Sequence, residues 1–132
     1  MRDKSQYDFK PCESTSKKPK KYLRLTDNMM NSKAWGELSC YAITLYLNIK
    51  LKYNFTNENN LSFTYTEGEK IMSKKTFTKA MDNLINNGFI YIVKQGVLNE
   101  CSIYGLCKEW QYFGTNAFDV KPRVKRVKSK NL

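Results

Sequence analysis

The sequence predicts an α+β domain, a helical core followed by a two-stranded β-hairpin, with a basic arm at either end. Three observations predict it. Between Ser73 and Asn87, apolar residues recur at helical spacing. After Gly88 the period switches to two. The third is charge: residues 1–21 carry seven Lys/Arg against Asp3, Asp8 and Glu13, and residues 121–132 carry six against no acid. The two arms therefore hold ten of the eleven net positive charges and leave residues 22–120 close to neutral. Such arms attract polyanions through charge, in a salt-sensitive way.

The N-terminal arm, residues 1–20, is polar and contains Pro11 and Pro19. Too few apolar side chains are present to offset the entropy of ordering, so a disordered arm is expected. Tyr22-Leu23-Arg24-Leu25 reads as a short strand. Thr26 caps a helical turn over residues 27–30, ending near Asn31. A long helix is expected from Ser32 or Trp35 to about Tyr53. Within it Leu38, Ala42, Leu45, Ile49 and Tyr53 share a face, which Tyr41, Tyr46, Leu47 and Leu51 widen. A helix apolar over so much of its circumference is the buried centre of a small domain. That assigns its tyrosines to packing rather than to stacking on bases, and Cys40 with them. Residues 55–60 are polar loop. Residues 61–65 alternate apolar and polar, the pattern of a strand with one buried face. Thr66 is expected to cap a short helix, with Glu67 and Glu69 in its first turn, where the helix dipole favours acids.

Ser73 is the N-cap of the next helix, its hydroxyl accepting an early helical N–H. Phe77, Met81, Leu84 and Ile85 make its apolar stripe. Lys74, Lys75, Thr78, Lys79, Asp82 and Asn86 fall on the other side, the basic residues crowding the N-terminal half. Asn87-Gly88 supplies a left-handed stop. Phe89, Tyr91 and Val93 then alternate with Ile90, Ile92 and Lys94 up to Gln95-Gly96. A second run, residues 101–107, completes a hairpin. Residues 108–114 read as one or two helical turns, with Trp110 and Phe113 packing back. Pro122 and charge density keep the basic C-terminal run extended.

Several chemistries are disfavoured. The chain has no histidine, the commonest general base and metal ligand. Cys12, Cys40, Cys101 and Cys107 form no CxxC pair, so a zinc site needs four scattered thiols. Neither a phosphate-cradling glycine loop nor a dinucleotide fingerprint is present. The acids occur singly. The expectation is no enzyme, no metal and no cofactor. With no apolar run of signal-peptide or membrane-spanning form, a cytoplasmic protein with reduced thiols and no membrane partner is expected. Richness in Lys, Asn, Ile and Tyr indicates an AT-rich coding sequence, such as that of a low-GC bacterium or its phage or plasmid.

Strand, two helices across a tight turn and a two-stranded hairpin together resemble the winged helix-turn-helix DNA-binding family. The residues that carry the resemblance are Ser73-Lys74-Lys75-Thr76-Phe77-Thr78-Lys79, then Leu84-Ile85, Gly88-Phe89-Ile90 and the strand ending at Lys94. The likeness spans roughly residues 34–113. It implies a three-helix core with a two-stranded wing in a domain over residues 21–118, between arms 1–20 and 119–132. It also implies that the helix begun at Ser73 enters a DNA major groove, with Lys74, Lys75, Thr76, Thr78 and Lys79 facing it. Lys94 and Gln95 on the wing would approach the minor groove or phosphates. Arg123, Lys125 and Arg126 in the tail would add phosphate tracking or minor-groove insertion.

The expected partner is double-stranded DNA, read sequence-specifically by a protein of a mobile element. A homodimer is expected, because a two-fold protein matches a two-fold or repeated site. Three roles suit such a protein. One is a transcriptional regulator. Another is the centromere-binding adaptor of plasmid or phage partition, which needs a surface for a filament-forming partner. The third is the DNA-binding domain of a replication initiator, which meets the replication machinery. A rival class is an interaction module that kept the winged fold but lost DNA binding, supported by the near-neutral middle and by Val97, Leu98 and Glu100 in the wing. Single-stranded nucleic-acid binding by exposed tyrosines is a second rival.

Overall fold

The computed structural model describes residues 23–96 and 101–124 of the 132-residue chain. The expected N-terminal arm, the loop at Val97, Leu98 and Glu100, and Lys125 and Arg126 lie outside the described residues. Among the described residues the fold is α+β, with five α-helices and a three-stranded antiparallel sheet.

Every one of those helices starts at a hydroxyl. Thr26 opens α1 (Asp27–Met30), Ser32 opens α2 (Lys33–Gly36) and Ser39 opens α3 (Cys40–Lys50). Thr64 opens α4 (Tyr65–Glu69) and Ser73 opens α5 (Lys74–Asn86). In each case the side-chain oxygen accepts a backbone N–H three residues on, at 3.1–3.3 Å. Such a bond satisfies one of the donors that a helix start leaves over, and is worth about 1 kcal/mol.

These caps account for where the chain departs from the expected boundaries. The single helix expected between Ser32 and Tyr53 is two, α2 and α3, because Ser39 begins a new helix on Ala42 N–H. The Ser39 N–H also donates to Asn83 Oδ1 on α5 at 2.9 Å, fixing the break against a neighbouring helix. Cys40 is consequently the exposed first residue of α3 and not a packed one. Thr64 rather than Thr66 caps α4, through a capping box in which Glu67 accepts the Thr64 N–H at 3.0 Å. That earlier start leaves Glu69 out of the first turn and shortens β1 to Leu61–Ser62. Leu23, Arg24 and Leu25 form no strand. The Arg24 carbonyl instead accepts from Lys50 Nζ at 2.7 Å.

The core lies between α3, α5 and the sheet. From α3 it takes Ala42, Leu45, Tyr46 and Ile49, and from α5 Phe77, Ala80, Met81, Leu84 and Ile85. Tyr41 and Leu51, expected to widen the apolar face of α3, are exposed. Phe89 is the aromatic centre, with no exposed surface. Its ring meets Trp35 and Tyr46 edge-on at 5.7 and 5.6 Å and stacks on Trp110 at 6.0 Å. Pairs of this geometry add about 0.5–1.5 kcal/mol each beyond area burial. Phe89 is buried although the alternation groups it with Tyr91 and Val93, because it precedes the strand at the helix–strand junction. Gly88 makes that junction with φ of +87°, the left-handed conformation expected of it.

The strands β2 (Ile90–Lys94) and β3 (Ile103–Leu106) form the expected antiparallel hairpin. Their register pairs Ile90 with Leu106 and Ile92 with Tyr104, and then slips so that Lys94 faces Ile103. The slip leaves Val93 as the extra residue of a bulge. β1 pairs with the other edge of β3, Leu61 against Tyr104, giving the order β1-β3-β2. A 3-10 helix, Glu109–Tyr112, follows, and from this segment Trp110 and Phe113 pack onto the core as expected. Among the described residues no helix is long and apolar enough to cross a membrane.

Candidate nucleic-acid interface

α4 and α5 are joined by the short turn 70–73 and pack closely. Gly68 permits the approach, since a Cβ there would stand 2.3 Å from the Phe77 ring. Burial of Phe77, Met81, Leu84 and Ile85 fixes the rotation of α5 about its axis. That rotation leaves Lys75, Lys79, Asp82 and Asn86, at i, i+4, i+7 and i+11, as one outward ridge. Lys75 and Lys79 are exposed and make no hydrogen bond or ion pair among the described residues. A helix with side chains is about 10–12 Å across, and the B-DNA major groove is about 12 Å wide. The ridge therefore has the dimensions and sign of charge to enter that groove.

The other α5 candidates are placed differently. The Ser73 hydroxyl donates to Thr76 Oγ1 at 2.9 Å while accepting Thr76 N–H at 3.2 Å, so both residues serve the helix start. The Thr78 hydroxyl donates to the Lys74 carbonyl at 3.1 Å, which leaves its oxygen lone pairs as acceptors. Lys74 is exposed, with its ammonium 4.9 Å from the centroid of the Tyr65 ring. Tyr65 is itself half exposed and rests edge-on against Phe77. Lys74 at the start of α5 and Tyr65 at the start of α4 thus lie together beside the Lys75–Lys79 ridge.

On the hairpin, Lys94 is exposed at the end of β2. Gln95 is half buried and its amide is engaged by the chain itself. It donates to the Val124 carbonyl at 2.8 Å and accepts Val124 N–H at 3.2 Å. Arg123 is likewise engaged, donating from Nε and Nη2 to the two carboxylate oxygens of Asp82 at 2.8 and 3.1 Å. That hydrogen-bonded carboxylate raises the guanidinium above its ordinary range, so Arg123 stays charged. Residues 119–124, grouped with the tail by their charge pattern, therefore lie against α5 and β2. Behind them a cleft of about 500 Å³ is lined by Ile85, Ile90, Ile92, Cys107 and Pro122, among others.

Asp82 is the residue of the site whose role the sequence hides. An acid within a basic helical face is a signal for a partner cation, but that cation is 41 positions away. Among the described residues no three His, Cys, Asp or Glu side chains are grouped to hold a metal ion. The thiol of Cys107 is pushed up by burial, and its S–H donates to the Gly88 carbonyl at 3.1 Å. Comparison of the chain with protein-family models, curated proteins and solved structures finds no match.

Proposed function

We propose that this chain is a sequence-specific double-stranded DNA-binding protein of the winged helix-turn-helix type. In this reading α4 and α5 form the helix-turn-helix and the β2–β3 hairpin is the wing. The carrying observation is the ridge on α5, where Lys75 and Lys79 point outward with no ion-pair or hydrogen-bond partner among the described residues while the opposite face is sealed into the core. Lys75 and Lys79 reach base edges or flanking phosphates, with Thr78 and Asn86 offering neutral hydrogen-bonding groups beside them. Lys74 and Lys94 anchor the DNA backbone on either side, and the basic arms add salt-dependent affinity. The role is that of a transcriptional regulator or of a centromere-binding adaptor in plasmid or phage partition, with the chain acting as a dimer on a two-fold or repeated site.

Lys75→Ala and Lys79→Ala test the reading. A lysine that reads a base should cost about 1–3 kcal/mol on removal and relax sequence preference. One that only touches a phosphate should, on removal, weaken all sequences alike and lower the salt slope by about one. If both variants keep the wild-type affinity and preference, α5 is not the reading element. The near-neutral body then favours a protein-interaction module.

A further inference from the structure

Residues 119–124 run back across the body and are pinned on both sides of one corner. On the helix side the pin is the two-bonded Arg123–Asp82 pair, and on the hairpin side it is the reciprocal Gln95–Val124 pair. A third bond, from Asp119 N–H to Glu109 Oε1 at 2.8 Å, fixes where the segment begins. The segment therefore ties α5 to the end of β2.

Asp82 is the unexpected member. It occupies the same ridge as Lys75 and Lys79, where a lone carboxylate would repel a phosphate backbone. Arg123 neutralises it, and the geometry leaves more than neutrality. Asp82 uses two of the five N–H donors of the guanidinium, and no other acceptor among the described residues takes the remaining three. The Arg123 side chain keeps 24% of its surface open to solvent. From Val124 the chain then passes into a stretch containing Lys125, Arg126, Lys128 and Lys130 and no acid.

We propose that Asp82 and Gln95 are positioning residues for a phosphate contact made by Arg123. They do not touch DNA themselves. They hold the guanidinium in the corner between α5 and the hairpin, and they fix the point from which the basic C-terminal residues depart. This rests on the DNA-binding reading above. In that reading a duplex backbone crosses the corner when α5 lies in one groove and the hairpin approaches the next. Fixing the arginine beforehand removes part of the ordering cost that a free side chain or tail would bear on binding.

The sign of one substitution separates this from the plain alternative. If Asp82 is only an acid near the interface, Asp82→Asn removes repulsion and tightens binding. If it positions Arg123, Asp82→Asn weakens binding despite removing a negative charge. With the full-length chain and a duplex from beside its own gene, anisotropy titrations across a salt series should show Asp82→Asn weaker by about three- to tenfold, with a salt slope lower by about one. Arg123→Ala should match it, and the double variant should be no weaker than Arg123→Ala alone. Asp82→Glu should recover most of the affinity. Gln95→Ala, which leaves the ion pair in place, should weaken binding in the same direction. Unchanged or tightened binding by Asp82→Asn overturns the positioning role. If Lys75→Ala and Lys79→Ala still weaken binding in that case, the DNA reading stands and this inference alone falls. If the wild-type chain binds no duplex, both fall.

Discussion

Gly88→Ala is the substitution the α5–β2 junction should tolerate least. At φ of +87° an L-residue costs about 1 kcal/mol. A Cβ at this position would also stand 2.6 Å from the backbone nitrogen of Trp110 and 2.8 Å from the carbonyl carbon of Glu109. Those obstacles are backbone, so the 3-10 helix must move. It carries the Trp110 N–H, which donates to the Gly88 carbonyl at 2.9 Å, and the ring that stacks on Phe89. Weakening that hydrogen bond and stack adds about 1–2 kcal/mol. The expected total is about 2–3 kcal/mol, or a fall in Tm of about 6–12 °C for a domain of this size. Urea and thermal unfolding followed by tryptophan fluorescence reads this directly, since Trp35 and Trp110 both contact the Phe89 ring. Gly88→Asn separates the two causes, because asparagine accepts the left-handed backbone but carries the same Cβ. Wild-type stability in the Asn variant refutes the steric part. An Ala variant as stable as wild type refutes both parts.

Three further outcomes follow from single interactions. Asn87 is buried, and its Nδ2 donates to the Ala34 carbonyl at 2.9 Å. Asn87→Ala should cost about 1–3 kcal/mol in urea unfolding by leaving that carbonyl unpaired, and a neutral result would deny the bond its role. Cys107, half-buried and raised above its ordinary range, should be alkylated more slowly at mildly alkaline pH than the exposed Cys40 and Cys101. Peptide mass spectrometry over a time course reads the order, and equal rates would contradict the burial. Glu67 is held below the ordinary carboxylate range, first by its hydrogen bond to Lys52 and then by the Thr64 N–H. Its contribution is therefore complete above the unfolded value, about 4.3, and is lost as pH falls through the lower folded value. The stability gap between wild type and Glu67→Gln should close with acidification, and a gap constant from neutral to strongly acidic pH would refute the linkage.

What was legible in the sequence is what local chemistry determines. Thr26 and Ser73 announce their helices, and the Phe77–Ile85 stripe orients α5 correctly because thirteen helical residues give the periodicity room. The break between α2 and α3 was hidden because Leu38 and Ala42 keep the apolar spacing across it. Gly36 and Ser39 were the local signs, a poor helix former followed by a strong cap. The start of α4 was also readable, since Thr64 and Glu67 stand at capping-box spacing. Pairing of Leu61 with Tyr104, of Asp82 with Arg123 and of Gln95 with Val124 was not readable. Those contacts join residues 29 to 43 positions apart, and no local pattern encodes them. The same distance explains why Gln95 reads as a free wing residue in the sequence, while in the structure its amide is bonded to Val124.

Whether α5 reads duplex DNA is decided by one titration. The purified full-length chain is titrated onto duplex DNA flanking its own gene and onto random duplex, across a salt series. A preference for the flanking DNA that persists at physiological salt and disappears in Lys75→Ala and Lys79→Ala is the expected result. Equal, steeply salt-dependent binding to both duplexes, unaffected by those substitutions, would mean that only the basic arms engage DNA, and α5 would not be a recognition helix.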